Sequence, residues 1–272
     1  MFTNHPIFIG GMAKSGTSLI RSLVGSHPNI YGGDGFETNW FGDEIRKDWK
    51  NQNSERQRWL KEWHNIDDED FKVIKSKSIS GLDYFNNVMN FCTDKAKKKR
   101  WIEKTPNNIH YFDLITDTWP NAKLIISVRD LRDVFASWKV KAGSNLKNYD
   151  VHEFTDKVLY AFNNYQDLLG KQTENYIDIK YEDTVKYTEQ TLKRVFKFLE
   201  EPWVEGLEEY KPSGELEKVK KIIGKGSTTS ESLEKPIFSS SIGQWKEFIT
   251  ENEIAVIEDK LGHFQKILGY QS

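Results

Sequence analysis

Pro6-Ile7-Phe8-Ile9-Gly10-Gly11-Met12-Ala13-Lys14-Ser15-Gly16-Thr17-Ser18-Leu19 is the stretch on which the rest of the chain is read. Ile7, Phe8 and Ile9 form a β-branched and aromatic run that suits a strand covered on both faces, and Gly10-Gly11 ends it. Lys14 carries a positive charge into the turn that follows, and Gly16 lets the backbone approach a ligand closely. The N–H groups of Ser15 to Ser18 would open a helix with no intrahelical partner, and the hydroxyls of Ser15, Thr17 and Ser18 add donors. An anion can accept from such a strand, loop and helix start. The spacing of Leu19, Ile20, Leu23 and Val24 predicts a helix from Gly16 to Val24, ended by Ser26-His27-Pro28-Asn29. His27 at that end is expected to meet the last carbonyls rather than to catalyse.

The loop departs from the nucleotide triphosphatase pattern, which asks for Gly, four residues, then Gly-Lys-Ser/Thr. Counted from Gly11, the second glycine falls on Gly16, but Thr17 stands at the lysine position and Lys14 lies inside the loop. A lysine at the helix start reaches the β- and γ-phosphates beside magnesium, so its displacement weakens the case for an ATP or GTP hydrolase. The order Gly, two residues, Lys-Ser-Gly-Thr-Ser instead resembles the 5′-phosphosulfate loop of the sulfotransferases, which use 3′-phosphoadenosine 5′-phosphosulfate (PAPS).

A second signal is the apolar run Leu124 to Val128, ending in Arg129-Asp130 and followed by a helix that carries Ser137. An arginine at a strand end and a serine about two helical turns later can grip one phosphate from two sides. The pair resembles the 3′-phosphate signature of the same family. The alternative is that Asp130 and Asp133 hold Arg129 and Arg132 in ordinary ion pairs.

Further strings fall in family order. Glu37-Thr38 follows a glycine-rich turn and resembles the Glu-Thr of tyrosylprotein and related sulfotransferases, in which the glutamate takes the acceptor proton; chemically, a carboxylate or a histidine is the usual base. A helix-start carboxylate stabilised by the dipole is the alternative. Glu103-Lys104-Thr105-Pro106 ends a short strand, with Pro106 expected to begin a helix through Trp119. The string resembles the position whose lysine contacts the leaving phosphate and the sulfuryl oxygens, where a second cation would meet growing negative charge. A surface lysine paired with Glu103 is the bland reading. Tyr181-Glu182-Asp183 resembles the turn whose tyrosine lies near the nucleotide. The Ser/Thr/Gly-rich segment Gly224 to Trp245, with Ser227 and Lys235, resembles the loop that closes the 3′-phosphate pocket. Gln244 stands there where a basic residue is common, with Lys246 as a possible substitute.

The rest of the chain reads as scaffold. Trp40, Phe41, Trp49, Trp59 and Trp63 recur on a polar background, either lining an acceptor cleft or packing a helical lid. Lys95 to Arg100 reads as a solvated helix end, with a docking surface for an anionic substrate as the sharper alternative. Helices are predicted from Gly81, over Phe154 to Leu169, over Leu192 to Leu199 and over Ile254 to Leu268, with a strand at Tyr176 to Ile179.

The 272 residues can bury one sizeable α/β core and carry no linker-like break, so a single domain spanning 1–272 is expected. Lys+Arg 39 against Asp+Glu 41, net −2, argues against a general nucleic-acid binder. Cys92 is the single cysteine, so no internal disulfide forms. No apolar run suggests membrane insertion, and a cleavable signal would remove the phosphate loop; a cytoplasmic protein is the expectation.

The resemblance implies a P-loop-like three-layer α/β fold, a central parallel sheet flanked by helices. It implies sulfuryl transfer from PAPS to a hydroxyl on a sugar, phenol, peptide tyrosine or lipid alcohol, with no metal. Glu37, Lys14 and Lys104 would be catalytic; Lys14, Ser15, Gly16, Thr17, Ser18, Arg129, Ser137, Tyr181, Ser227 and Lys235 would bind the nucleotide. His27, Asp34 and His110 are the substitute bases. An ATP-dependent phosphotransferase and a non-catalytic nucleotide-binding protein are the competing classes.

Overall fold

The computed structural model describes residues 2, 4–32, 37–41, 49–50, 55–141, 150–163, 166, 168–212, 214–224 and 228–270. Strand β1 (Ile7–Gly11) is buried along its whole length, as its unbroken apolar run requires. It lies between β3 (Arg100–Lys104) and β4 (Lys123–Val128), with β2 (Ile30–Tyr31) and β5 (Tyr176–Lys180) at the edges. Every strand pair is parallel, in the order β2-β3-β1-β4-β5, and Ile9 sits opposite both Lys104 and Ile125. From β1 the chain passes to the far edge at β2, returns to β3 beside β1, and then crosses to β4 and β5 on the other side, which places a topological switch beside β1.

Side chains alternate along β1 and so divide the core. Phe8 points into one cluster with Trp40, Trp101 and Trp119, its ring 5.4 Å from Trp101 and 5.3 Å from Trp119. Ile7 and Ile9 point into a second, with Ile20, Leu23 and Val24 of α1 (Thr17–Gly25) and Leu192, Val195 and Phe196 of α9 (Thr188–Leu199). The first cluster takes α2 (Glu55–Trp63), α3 (Asp68–Lys77), α4 (Gly81–Lys95), α5 (Phe112–Thr118), α6 (Leu131–Lys141), α7 (Val151–Asn163) and α13 (Glu251–Ile267). Helices therefore cover both faces of one parallel sheet, the expected three-layer architecture. The remaining short helices are α8 (Tyr181–Lys186), α10 (Glu215–Ile223), α11 (Thr228–Leu233) and α12 (Trp245–Phe248).

Three boundaries differ from expectation. The helix read from Pro106 to Trp119 is broken into a 3₁₀ turn, Pro106–His110, and α5, with Tyr111 at φ −128°, ψ 21° between them. The cause is Asn108: its amide donates to the Ile9 carbonyl at 3.0 Å and to Glu103 at 2.6 Å, which pins the turn against β1. Helix α7 is described over Val151–Asn163, and residues 168–170 form a turn in which Leu169 is buried; Tyr165 of the expected helix lies outside the described residues. Arg100 belongs to β3 rather than to a solvated helix end, donating to the carbonyls of His5 and Leu199, each at 2.8 Å.

Gly11 is required by close approach. Its φ is +141°, and a Cβ there would stand 2.4 Å from the Ser127 carbonyl oxygen of β4. Gly11→Ala is expected to cost about 1–3 kcal/mol of stability, seen as a lower Tm. Gly262→Ala, inside α13 with nothing within 4 Å of the new Cβ, is expected to hold or raise Tm.

Candidate active site

Gly11, Lys104, Arg129 and Tyr181 all stand at or just after the C-terminal ends of strands, the edge where ligands of open α/β sheets bind. After β1 the loop turns back on itself: the Ser15 N–H donates to the Met12 carbonyl at 3.0 Å, and Lys14 takes φ +75°. Ser127 Oγ donates to the Ser15 carbonyl at 2.6 Å, and Trp138 Nε1 donates to the Ala13 carbonyl at 2.8 Å. Gly16 caps α1 at φ +98°, with no side-chain cap, and among the described residues the N–H groups of Gly16, Thr17 and Ser18 donate to no backbone carbonyl. The first turn of α1 thus faces the cavity with its donors and the positive end of its dipole. Ser15 is the exception within the loop: its N–H is bonded inside the turn and its side chain is 1% exposed against Gly11, so it shapes the loop from within.

Lys14 and Lys104 converge with Glu37 at this turn. Lys104 is 3% exposed, and its ammonium donates to Glu37 Oε1. Lys14 feels both neighbours: burial pushes its pKa below the ordinary lysine range, Lys104 pushes the same way, and Glu37 pulls it back. Glu37 itself is half exposed at the cavity wall, paired with Lys104. Glu103 does not pair with Lys104 as a surface couple would. Neighbours on a strand point to opposite faces, and Glu103 turns inward to accept from Thr38 N at 3.3 Å, Thr38 Oγ1 at 2.8 Å, Thr105 Oγ1 at 2.6 Å and Asn108 Nδ2 at 2.6 Å. Burial raises its carboxyl pKa, against the pull of those donors.

On the other side of the loop, Arg129 is 5% exposed and donates to the carbonyls of Lys14, at 3.0 Å, and Ser241. Its guanidinium lies 4.6 Å from the Tyr181 ring centroid, and it makes no salt bridge among the described residues. Asp130 instead pairs with Arg132, at 2.8 Å. Asp133 accepts from Gly243 N at 2.8 Å and Trp245 N at 3.0 Å and so ties the C-terminal segment down beside Arg129. Tyr181 OH meets Ser241 Oγ at 2.6 Å, and its ring lies where a Cβ on Gly16 would fall, 2.6 Å away. These groups open onto one cavity of about 670 Å³, lined at one place or another by Lys14, Gly16 to Ser18, Glu37, Lys104, Arg129, Ser137, Tyr181 and Lys235. That volume suits a nucleotide-sized ligand.

A family model described as the sulfotransferase family matches residues 6–205. The chain belongs to the sulfotransferase family. It is 23% identical, over 98% of its length, to protein-tyrosine sulfotransferase A of Caenorhabditis elegans, and 24% identical, over 97% of its length, to protein-tyrosine sulfotransferase of Drosophila melanogaster. It spans 68% of the first protein and 51% of the second. Among solved structures, the sulfotransferase domain from the curacin biosynthetic pathway superposes with a TM-score of 0.68 at 16% identity, covering 100% of this chain and 99% of that one. Retinol dehydratase, solved with retinol and PAP, gives 0.52 at 15% identity, covering 100% and 84%.

Within this sulfotransferase fold two of the substitute bases, His27 and His110, stand off the cavity wall. His27 is fully buried, with Nε2 2.9 Å from the Pro202 carbonyl and its ring against Phe196, and His110 lies against Tyr160. Asp34 and Ser227 lie outside the described residues. Gln244 lines the cavity and donates to the Asp133 carbonyl at 3.1 Å, whereas Lys246 is exposed beyond Trp245 and does not take its place. The aromatic segment divides between both readings: Trp40 and Phe41 are core, Trp49 packs on Tyr84, and Trp59 and Trp63 reach the cavity. Sequence reading did not find Tyr210, Glu215, Ser240 and Ser241 in the cavity wall, or Trp138 as the clamp on Ala13. Ser127, a buried hydroxyl set between Ile126 and Val128, was a signal the sequence did carry for the support of the loop, through its bond to the Ser15 carbonyl.

Proposed function

We propose that this chain transfers the sulfuryl group of PAPS to an acceptor hydroxyl. The observation that carries the reading is the convergence of Lys14, Lys104 and Glu37 on the open first turn of α1, with Arg129 in the same cavity. The donor supplies an activated sulfur with a good phosphate leaving group. The N–H groups of Gly16 to Ser18 would hold its 5′-phosphate, and Arg129 with Ser137 and Lys235 its 3′-phosphate. Glu37 would take the acceptor proton as the acceptor oxygen bonds to sulfur. The sulfur–oxygen bond to the 5′-phosphate breaks with its electron pair staying on the phosphate, and Lys14 and Lys104 would stabilise that charge. The displaced lysine and the family assignment do not favour the ATP-dependent phosphotransferase reading. Phenolic tyrosine is a natural acceptor to try first, because the named relatives are protein-tyrosine sulfotransferases.

The test is transfer of label from ³⁵S-PAPS to a tyrosine peptide, 4-nitrophenol, an oligosaccharide and a long-chain alcohol. Label on at least one acceptor is the expected result; no label on any, with no PAP released, contradicts the reading.

The site should also be pH-sensitive on its alkaline side. Lys14 contributes attraction only while protonated, below its folded pKa, and burial places that pKa below the usual lysine range. PAP affinity is therefore expected to fall with rising pH earlier than ordinary lysine titration would allow. Lys14→Met should remove that limb of a calorimetric pH series.

A further inference from the structure

Among the described residues, the Glu37 carboxylate is held by Lys104. The Glu37 side chain is 48% exposed, and its neighbour Thr38 is 2% exposed and bonded through both N and Oγ1 to Glu103. Asn39, at φ +47°, donates from its N–H to Thr105 Oγ1 at 3.1 Å, and Thr105 Oγ1 in turn donates to Glu103 at 2.6 Å. Asn108 joins Glu103 to the Ile9 carbonyl of β1, directly before the phosphate loop. One buried carboxylate therefore ties the segment carrying Glu37 to the turn after β3 and to the central strand. Every partner is a donor, so the hub needs an acceptor-only group with both oxygens available.

We propose that Glu103 is a positioning residue for the transfer, fixing Glu37 against Lys104 through Thr38 and Thr105. This rests on the sulfuryl-transfer reading given above. The chemistry asks for it: a base on an exposed segment loses its near-attack geometry with small displacements, and misplacement by about 1 Å costs on the order of 10²-fold. Glutamine at position 103 keeps the size but offers one acceptor oxygen and places an NH₂ against donors.

The experiment is a double-mutant cycle on turnover of PAPS, using whichever of the four acceptors above the wild type sulfates. Glu103→Gln is expected to lower kcat about 10- to 100-fold while PAP affinity stays within about 2-fold, because the α1 turn and Arg129 are not bonded to the hub. In the Glu37→Gln background the same substitution is expected to change kcat less than about 2-fold, since a misplaced base and an absent one are equivalent. Equal losses in both backgrounds would overturn the proposal and leave Glu103 a general stabilising residue. If Glu103→Gln does not fold, Thr38→Val removes only the Oγ1 link, and the same non-additivity with Glu37→Gln is required of it. Amide exchange gives a readout independent of activity: Thr38 should lose protection in Glu103→Gln while Gly16 to Ser18 do not change. Failure of the functional reading looks different, because wild-type protein would then show no turnover with any acceptor, and the proposal falls with it.

Discussion

Arg129→Ala is expected to weaken PAP binding by about 100-fold or more, measured by calorimetry. An arginine that is 5% exposed, with Nε buried and without a hydrogen-bond partner among the described residues, is costly unless an anion completes it. The protein gives Arg129 two carbonyls and the face of Tyr181, and no carboxylate among the described residues forms a salt bridge with it. Hydrogen bonds to charged groups are worth about 1.5–3 kcal/mol each, so losing a forked pair to a phosphate accounts for the expected factor. Arg129→Lys should recover only part of the affinity, because an ammonium keeps the charge and loses the fork. An unchanged affinity in Arg129→Ala would place the 3′-phosphate elsewhere along the cavity.

Glu37→Gln is expected to slow turnover by about 10²-fold or more while PAP affinity stays nearly constant. Glu37 is the carboxylate that lies both on the cavity wall and against Lys104, and its amide analogue fills the same space without accepting a proton. The split between kcat and nucleotide affinity is the diagnostic, since a residue that merely shaped the donor pocket would move both. Turnover unaffected by the substitution would remove Glu37 from the mechanism.

The parts of this site that were legible in the sequence are those where local chemistry and local structure coincide. Ile7 to Ser18 carries its strand, its turn glycines and its anion-binding helix start in consecutive residues, and Leu124 to Ser137 carries a buried strand, an arginine at its end and a serine on the following helix. What the sequence concealed depends on contacts between distant residues. Glu103 beside Lys104 invites pairing of the two, yet strand alternation sends one inward to Thr38 and the other to Glu37, residues more than sixty positions away. The break at Tyr111 follows from Asn108 reaching back to Ile9, which helical periodicity does not encode. The cavity wall formed by Tyr210, Glu215 and Leu233 arises only when α10 and α11 fold back over α1, where Glu215 meets Arg21.

The central claim is most directly tested by calorimetric titration of the wild-type protein with PAP in EDTA, beside a titration with ATP and magnesium. Metal-independent binding of PAP that is far tighter than that of ATP is the predicted result. Binding of ATP with magnesium alone would contradict it and would turn the loop from Gly11 to Ser18 into a triphosphate site.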